Sequence, residues 1–201
     1  MVGMAKFGAL AAAGLSIRDL LIRRIAEQVP DPPGPRPEVV LAGTNDFDDV
    51  GRSPGAIINF PAISLYCYRL TVDRETRPGW SAVSSVDGVP RLPLRMHFLL
   101  SAWDTTVITE LEFLGLAAQI LESEPILTGA QLHSPEVWSA GEAVQVVSDE
   151  LGQDSMSEYF QAFSTKYRLS LPYVARVIVL EGRPESTDEK VVTLAGRLET
   201  R

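Results

Sequence analysis

Residues 92–103 read LPLRMHFLLSAW, and residues 105–123 read TTVITELEFLGLAAQILES. The change of period between them decides the fold. From Pro93 to Trp103 the side chains alternate. Leu94, Met96, Phe98, Leu100 and Ala102 share one face, and Arg95, His97, Leu99, Ser101 and Trp103 share the other, as a strand requires. From Thr105 onward the repeat lengthens to three and four. Val107, Leu111, Leu114, Ala118 and Leu121 form one helical stripe, with Phe113, Leu116 and Ile120 as a second stripe beside it. That arc is wider than a single sheet contact needs. The helix is therefore expected either inside the core or half-buried in a contact between subunits. Phe113, Leu116 and Ile120 are the candidate subunit contacts.

The same reading extends in both directions. Ala62–Leu70 is a strand with Ile63, Leu65 and Cys67 on one side and Ser64, Tyr66 and Tyr68 on the other. A long hairpin-like loop, Thr71–Arg91, joins it to the next strand. Val39–Ala42 is a short strand, followed by a polar loop over Gly43–Phe60. Residues 30–37, PDPPGPRP, form an extended connector, because proline lacks a donor and fixes φ. Residues 5–28 carry Phe7, Leu10, Gly14, Ile17, Leu21 and Ile25 at helical spacing. Met1–Lys6 and Phe7–Leu15 also have the outline of a short signal peptide, with Ala11-Ala12-Ala13 as a cleavage-like site. The charged, periodic Ser16–Gln28 continues the stripe without a break, which favours the helix. Downstream, Ala143–Asp149 is a short strand and Ser155–Phe163 a short helix with Met156, Phe160 and Phe163 on one side.

Leu169–Leu180 is the longest strand. It is apolar on both alternations from Val174 onward, as expected of a central strand covered on both faces. Pro172 marks its beginning as an edge or a bulge. The order of elements predicts an α+β fold, a mostly antiparallel sheet flanked by a few helices. Residues 1–182 are expected to form a single domain, and residues 183–201 a C-terminal extension or arm.

Composition narrows the function. The chain has 201 residues, 45% hydrophobic and 22% charged, which suits one globular domain. A net charge of −8 argues against nucleic acid, whose binding rests on cations facing phosphate. One cysteine and two histidines leave little for a metal site or a disulfide framework. No apolar run is long enough to span a membrane.

Each chemical motif then has a plainer reading. Gly51-Arg52-Ser53-Pro54-Gly55 matches G-x-S-x-G, but the residue after the serine is a proline, which has no N–H for an oxyanion hole. Asp46, Asp48 and Asp49 form an acidic loop, but Val50 and a missing glutamate break the calcium pattern. His97 is expected to make a cross-strand hydrogen bond, and His133 to be exposed in a loop. Cys67 reads as a buried, inert thiol. No catalytic residue, metal site or cofactor is expected, and the chain reads as structural rather than as an enzyme.

Three stretches carry a resemblance. They are Leu65-Tyr66-Cys67-Tyr68-Arg69-Leu70-Thr71-Val72 with Arg77-Pro78-Gly79; residues 92–103 running into Glu112-Phe113-Leu114-Gly115 and residues 120–127; and residues 166–181, KYRLSLPYVARVIVLE. Together they resemble the tail terminator, or cap, protein of extracellular contractile injection systems. These are phage-tail-like particles of the antifeeding-prophage and virulence-cassette type. The resemblance covers roughly residues 5–182. Where such chains carry a Leu-Trp pair before the last motif, this one has Phe160-Gln161-Ala162-Phe163.

The resemblance implies a six-fold ring of this chain that ends the inner tube and anchors the last sheath layer. Its partners would be other copies of itself, the inner tube protein and the sheath protein. Assembly would take place in the cytoplasm, as part of a particle that is released or retained. The candidate tube or sheath contacts are Arg74, Arg77, Trp80 and Arg91 at loop tips, with Asp46, Asp48 and Asp49. Val191, Val192, Leu194 and Leu198 beyond the charged spacer are a possible strand-adding arm. The alternatives are a baseplate or tube-length adaptor of the same particle, and a small serine-type hydrolase using Ser53 or His97.

Overall fold

In the computed structural model, strand gives way to helix where the spacing of residues 92–123 predicts. Residues 6–30, 34–51, 55–76, 89–161 and 166–182 are described, without the side chains of 153–155 and 177. The elements are α1 (Ala9–Gln28), β1 (Glu38–Ala42), β2 (Ala62–Val72), β3 (Arg91–Trp103), α2 (Val107–Ser123), β4 (Ile126–Thr128), β5 (Ala143–Ser148), α3 (Gln153–Gln161) and β6 (Ser170–Glu181). They build one sheet in the order β1-β2-β3-β6-β5-β4. β1 runs parallel to β2, and every other pairing is antiparallel. The α+β architecture with a mostly antiparallel sheet is as expected. The three-residue β4 and the parallel edge were not anticipated.

The two sheet faces follow the alternation in β2 and β3. Ile63 pairs with Ala102 and Leu65 with Leu100 on the face covered by α1 and α2. Ile17, Leu20, Leu21 and Ile25 of α1 and Leu114, Ala117, Ile120 and Leu121 of α2 close this core. Each buried Leu or Ile among them contributes about 1.5–3 kcal/mol through burial. α1 comes close to β1 at Gly14, where a Cβ would stand 3.1 Å from Leu41 Cδ2. Ala12 and Ala13, in the cleavage-like stretch, are buried within α1.

The opposite face carries a thinner layer. The connection from β1 to β2 makes a 3-10 turn over Thr44–Phe47, and it supplies Phe47 and Ile58 to a second core with Leu99, Trp103, Met156 and Phe160. Phe47 meets Tyr66 edge-on, with ring centroids 5.2 Å apart, and lies 5.6 Å from Trp103. This stretch, read from sequence as a polar loop, is core at two positions. The buried Trp103 donates from Nε1 to Ser64 Oγ at 2.8 Å, so its one polar atom is satisfied.

β6 lies between β3 and β5, the central position expected of it. Pro172 sits one residue past the last β5 pair, Ser148 with Tyr173, and its carbonyl accepts the Asp149 N–H at 2.9 Å. The register shift between β3 and β6 falls elsewhere, between Leu94 and Met96.

α2 departs from the expected stripes. It begins only a few residues after β3 ends, capped by Thr106 Oγ1 accepting from Thr109 N, so its first turns overhang the end of the sheet. Val107 and Leu111 of the first stripe are exposed, whereas Ile120 of the second is 1% exposed and packs in the main core. The expectation of Ile120 as a subunit contact is therefore corrected: helix phase turns it toward the sheet.

Candidate docking surface

The overhanging turns of α2 make an apolar ridge. Val107 is 64% exposed, Ile108 67% and Leu111 51%, large hydrophobic side chains on one short segment. Isolated apolar side chains are ordinary on a surface, but a contiguous group marks a contact site. A groove of about 610 Å³ runs along one side of the ridge, lined by Phe47, Phe60, Trp103, Val107, Tyr167 and Leu169. Arg168 crosses it, pairing with Glu110 and placing its guanidinium 4.9 Å from the Trp103 ring centroid.

A second groove, of about 540 Å³, lies on the other side of α2. Val29, Pro35, Pro61, Phe113 and Leu116 line it, with the carboxylates of Asp104 and Glu112 on its walls. Two of the three expected subunit contacts, Phe113 and Leu116, thus come together in one groove. The Val107–Leu111 ridge was missed as a surface because the helical period groups Val107 and Leu111 with core residues. Their exposure depends on where the sheet ends.

The other candidates are spread out. Arg74 is exposed just beyond the end of β2. Arg91 is not at a loop tip: it opens β3 with a side chain 9% exposed and pairs with Glu181 across to β6 at 3.4 Å. Its expected role as a tip contact is corrected, since the strand begins earlier than the proline-rich sequence suggested. Asp46 accepts the Gly43 N–H at 2.7 Å and caps its own turn, while Asp48 and Asp49 are exposed. Arg77, Trp80, Ser53, Val191, Val192, Leu194 and Leu198 lie outside the described residues.

The polar clusters are knitted into the fold. His97, 7% exposed, receives the expected cross-strand bond: its Nε2 is 2.9 Å from Thr71 Oγ1. Its Nδ1 is 2.7 Å from Asp149 Oδ2, a partner from beyond β5 that sequence did not reveal. Burial, and then the Asp149 charge, push the nearby Tyr68 phenol up to about 12. At the end of β2, Asp73 accepts from Thr76 at 3.0 Å and from Arg95 at 2.7 Å. Burial alone would raise the Asp73 carboxyl, but bonds from Thr76, the Glu75 amide and Arg95 outweigh it and hold the group below its ordinary value.

Burial pushes the Cys67 thiol up, away from the reactive thiolate. His133, expected to be exposed, is part-buried. Its N–H donates to Ser16 Oγ at 2.8 Å and its Nδ1 lies 2.8 Å from Asp19 Oδ2, which fastens its loop onto α1. Among the described residues, no group of three or more His, Cys, Asp or Glu side chains could hold a metal ion, and no helix is long and apolar enough to cross a membrane.

A single, mostly antiparallel sheet carries α1 and α2 on one face, α3 and the β1–β2 connection on the other, and an exposed apolar ridge beside two grooves. The chain belongs to the Pvc16 N-terminal domain family, whose model matches residues 14–193. Two solved structures share the fold. One is the sheath/tube terminator of the PVC extracellular contractile injection system in its extended state. It is 12% identical with a TM-score of 0.60, over 100% of this chain and 65% of that one. The other is the tube-terminating cap of the anti-feeding prophage, 14% identical with a TM-score of 0.52, over 93% of this chain and 59% of that one. This chain therefore spans less than two thirds of the length of either. No curated protein sequence matches it.

Proposed function

We propose that this chain is a cap subunit of a contractile injection particle, ending the inner tube and anchoring the last sheath layer as part of a six-fold ring. Family membership supports the setting, and the ridge of Val107, Ile108 and Leu111 carries the docking role. A head-to-tail ring gives each subunit a partner for both of its unlike surfaces, and closure at six leaves no open lateral end. In this reading residues 1–182 are the folded unit and residues 183–201 the arm. Phe113 and Leu116 face a neighbouring copy, while Arg74, with Arg77 and Trp80, faces tube or sheath. The role is non-catalytic, assembly takes place in the cytoplasm, and the chain leaves or stays with its particle.

The test changes Val107, Ile108 and Leu111 together to lysine. These side chains are exposed, so the melting temperature should hold. Particles carrying the variant should have tubes of uneven length or loosened sheaths. Normal tube length and firm sheaths would defeat the reading. A Ser53→Ala variant that caps normally argues against the hydrolase alternative. Localisation of the chain at the baseplate by electron microscopy would favour an adaptor.

A further inference from the structure

We propose that residues 191–198 fold back as a further strand on the open edge of β2 in the same chain. This takes the place of the tube or sheath contact expected of that segment from sequence, and it goes beyond the cap reading without depending on it. β1 accompanies β2 only from Ala62 to Tyr66, where its last residue, Ala42, pairs. β2 continues to Val72, and among the described residues no strand pairs with its outer side from Cys67 onward. Asp73 donates its N–H to the Pro93 carbonyl at 3.0 Å, toward β3. Alternation along an antiparallel pair then turns the N–H and C=O of Leu70 and Val72 outward. An open row of this kind is a template for another strand.

The side chains at that edge suit an apolar partner. Leu70 and Val72 are exposed, on the side of the sheet shared with Met96 and Leu94, their partners in β3. A groove of about 480 Å³, with Leu10, Leu41, Cys67 and Met96 in its walls, opens where β1 ends. Residues 191–198 read VVTLAGRL. With a period of two, Val192, Leu194 and Leu198 share one face, fit for Leu70, Val72 and the groove, while Thr193 and Arg197 share the other with Val191 and Ala195. In strand addition, main-chain bonds hold the segment and alternate side chains fill the pockets.

Direction and length assign the segment to its own chain. β2 and β6 both run antiparallel to β3, so both finish at the same end of the sheet. Gly182, just past β6, donates its N–H to the Pro90 carbonyl at 2.8 Å. From there the free position beside Val72 is three strand spacings across, about 14 Å, and the step from Pro90 to Leu94 along, about 13 Å, or roughly 20 Å in all. The spacer 183–190 lets Val191 stand up to about 30 Å from Gly182. The chain can therefore cross the ends of β3 and β2 and return antiparallel to β2, and residues 191–198 are long enough to run the whole of residues 67–72. A tether this short holds the segment at an effective concentration of about a millimolar, far above that of a second copy in dilute solution.

The test follows amide hydrogen exchange by NMR on the purified full chain. The Leu70 and Val72 amides should be protected, and Val192→Asp with Leu194→Asp should speed their exchange at least about ten-fold, with Val146 of β5 unchanged as the control for folding. A second measurement reads whose segment covers the edge. Leu70→Cys and Leu194→Cys, in a Cys67→Ser chain, are joined by a short bismaleimide, and the product should keep the mass of one chain at every protein concentration. Leu70 and Val72 amides that exchange as fast as in an unfolded peptide would overturn the proposal, as would exchange indifferent to the two aspartates. A product of twice the chain mass would give the edge to a second copy and overturn it too, as would the lack of any cross-link. Both measurements are made without tube or sheath, so their failure leaves the cap reading standing, and uneven or uniform tubes leave this inference untouched.

Discussion

Arg168, just before β6, is ion-paired to Glu110 in the first turn of α2 while it lies over the Trp103 ring. One side chain thus ties the last strand, the overhanging helix and the end of β3 together. Glu110 is only 16% exposed, so Arg168→Met leaves a carboxylate partly desolvated and unpaired. The expected loss is about 1–3 kcal/mol in chemical denaturation. The double variant Arg168→Met with Glu110→Leu should recover part of that loss. A double-mutant cycle with no coupling would show that the pair does not hold the ridge in place.

Trp103 and Ser64 make a buried donor–acceptor pair, and the two substitutions should differ in character. Ser64→Ala leaves the indole N–H unsatisfied among apolar neighbours, an expected cost of about 1–3 kcal/mol. Trp103→Phe removes the donor and opens a void against Phe47, with a comparable or larger cost from lost packing. Combining them should cost less than the sum. Strict additivity in thermal melts would contradict the hydrogen bond.

Asp73 gives an acid-side signature. Its carboxyl lies below the ordinary value in the fold, so its stabilisation is fully present above the ordinary value and is lost as pH falls from there through the lower value of the folded state. Asp73→Asn should therefore lower the melting temperature at pH 7 and converge with the parent as the pH falls past the lowered value of the folded carboxyl. A gap of constant size across that range would rule out a charged Asp73 as the stabilising form.

Gly14 measures how tightly α1 seats on β1. A methyl group there would sit 3.1–3.2 Å from the Leu41 methyls, at the flexible end of a part-buried side chain. Gly14→Ala should be close to neutral, since a gain in helix propensity of about 1 kcal/mol offsets the crowding. Gly14→Leu should cost about 1–3 kcal/mol through overpacking. Equal melting temperatures for the two variants would mean that α1 shifts freely.

Much of the fold is legible in the sequence because periodicity reports burial. The faces of β2 and β3, the central position of β6 and the extents of α1 and α2 all follow from it. What escaped is set by distance along the chain or by where elements stop. Three residues of β4 carry too little pattern to announce a strand. Asp149 finds His97 across 52 positions, and no local spacing signals that. The exposed half of α2 has the same period as the buried half. Only the place where the sheet ends decides that Leu111 meets solvent and Ile120 meets Leu121 and Leu114 in the core.

Phe47 has a bearing on how this chain can vary. The strand-to-strand connection that carries it doubles as one wall of the molecule, bringing Phe47 and Ile58 under the sheet. A connection of that kind resists shortening or lengthening, because any change in its span would pull an aromatic plug from its socket. Diversity of attachment among related chains is therefore expected on the exposed first turns of α2, where Val107, Ile108 and Leu111 can be exchanged without disturbing the interior.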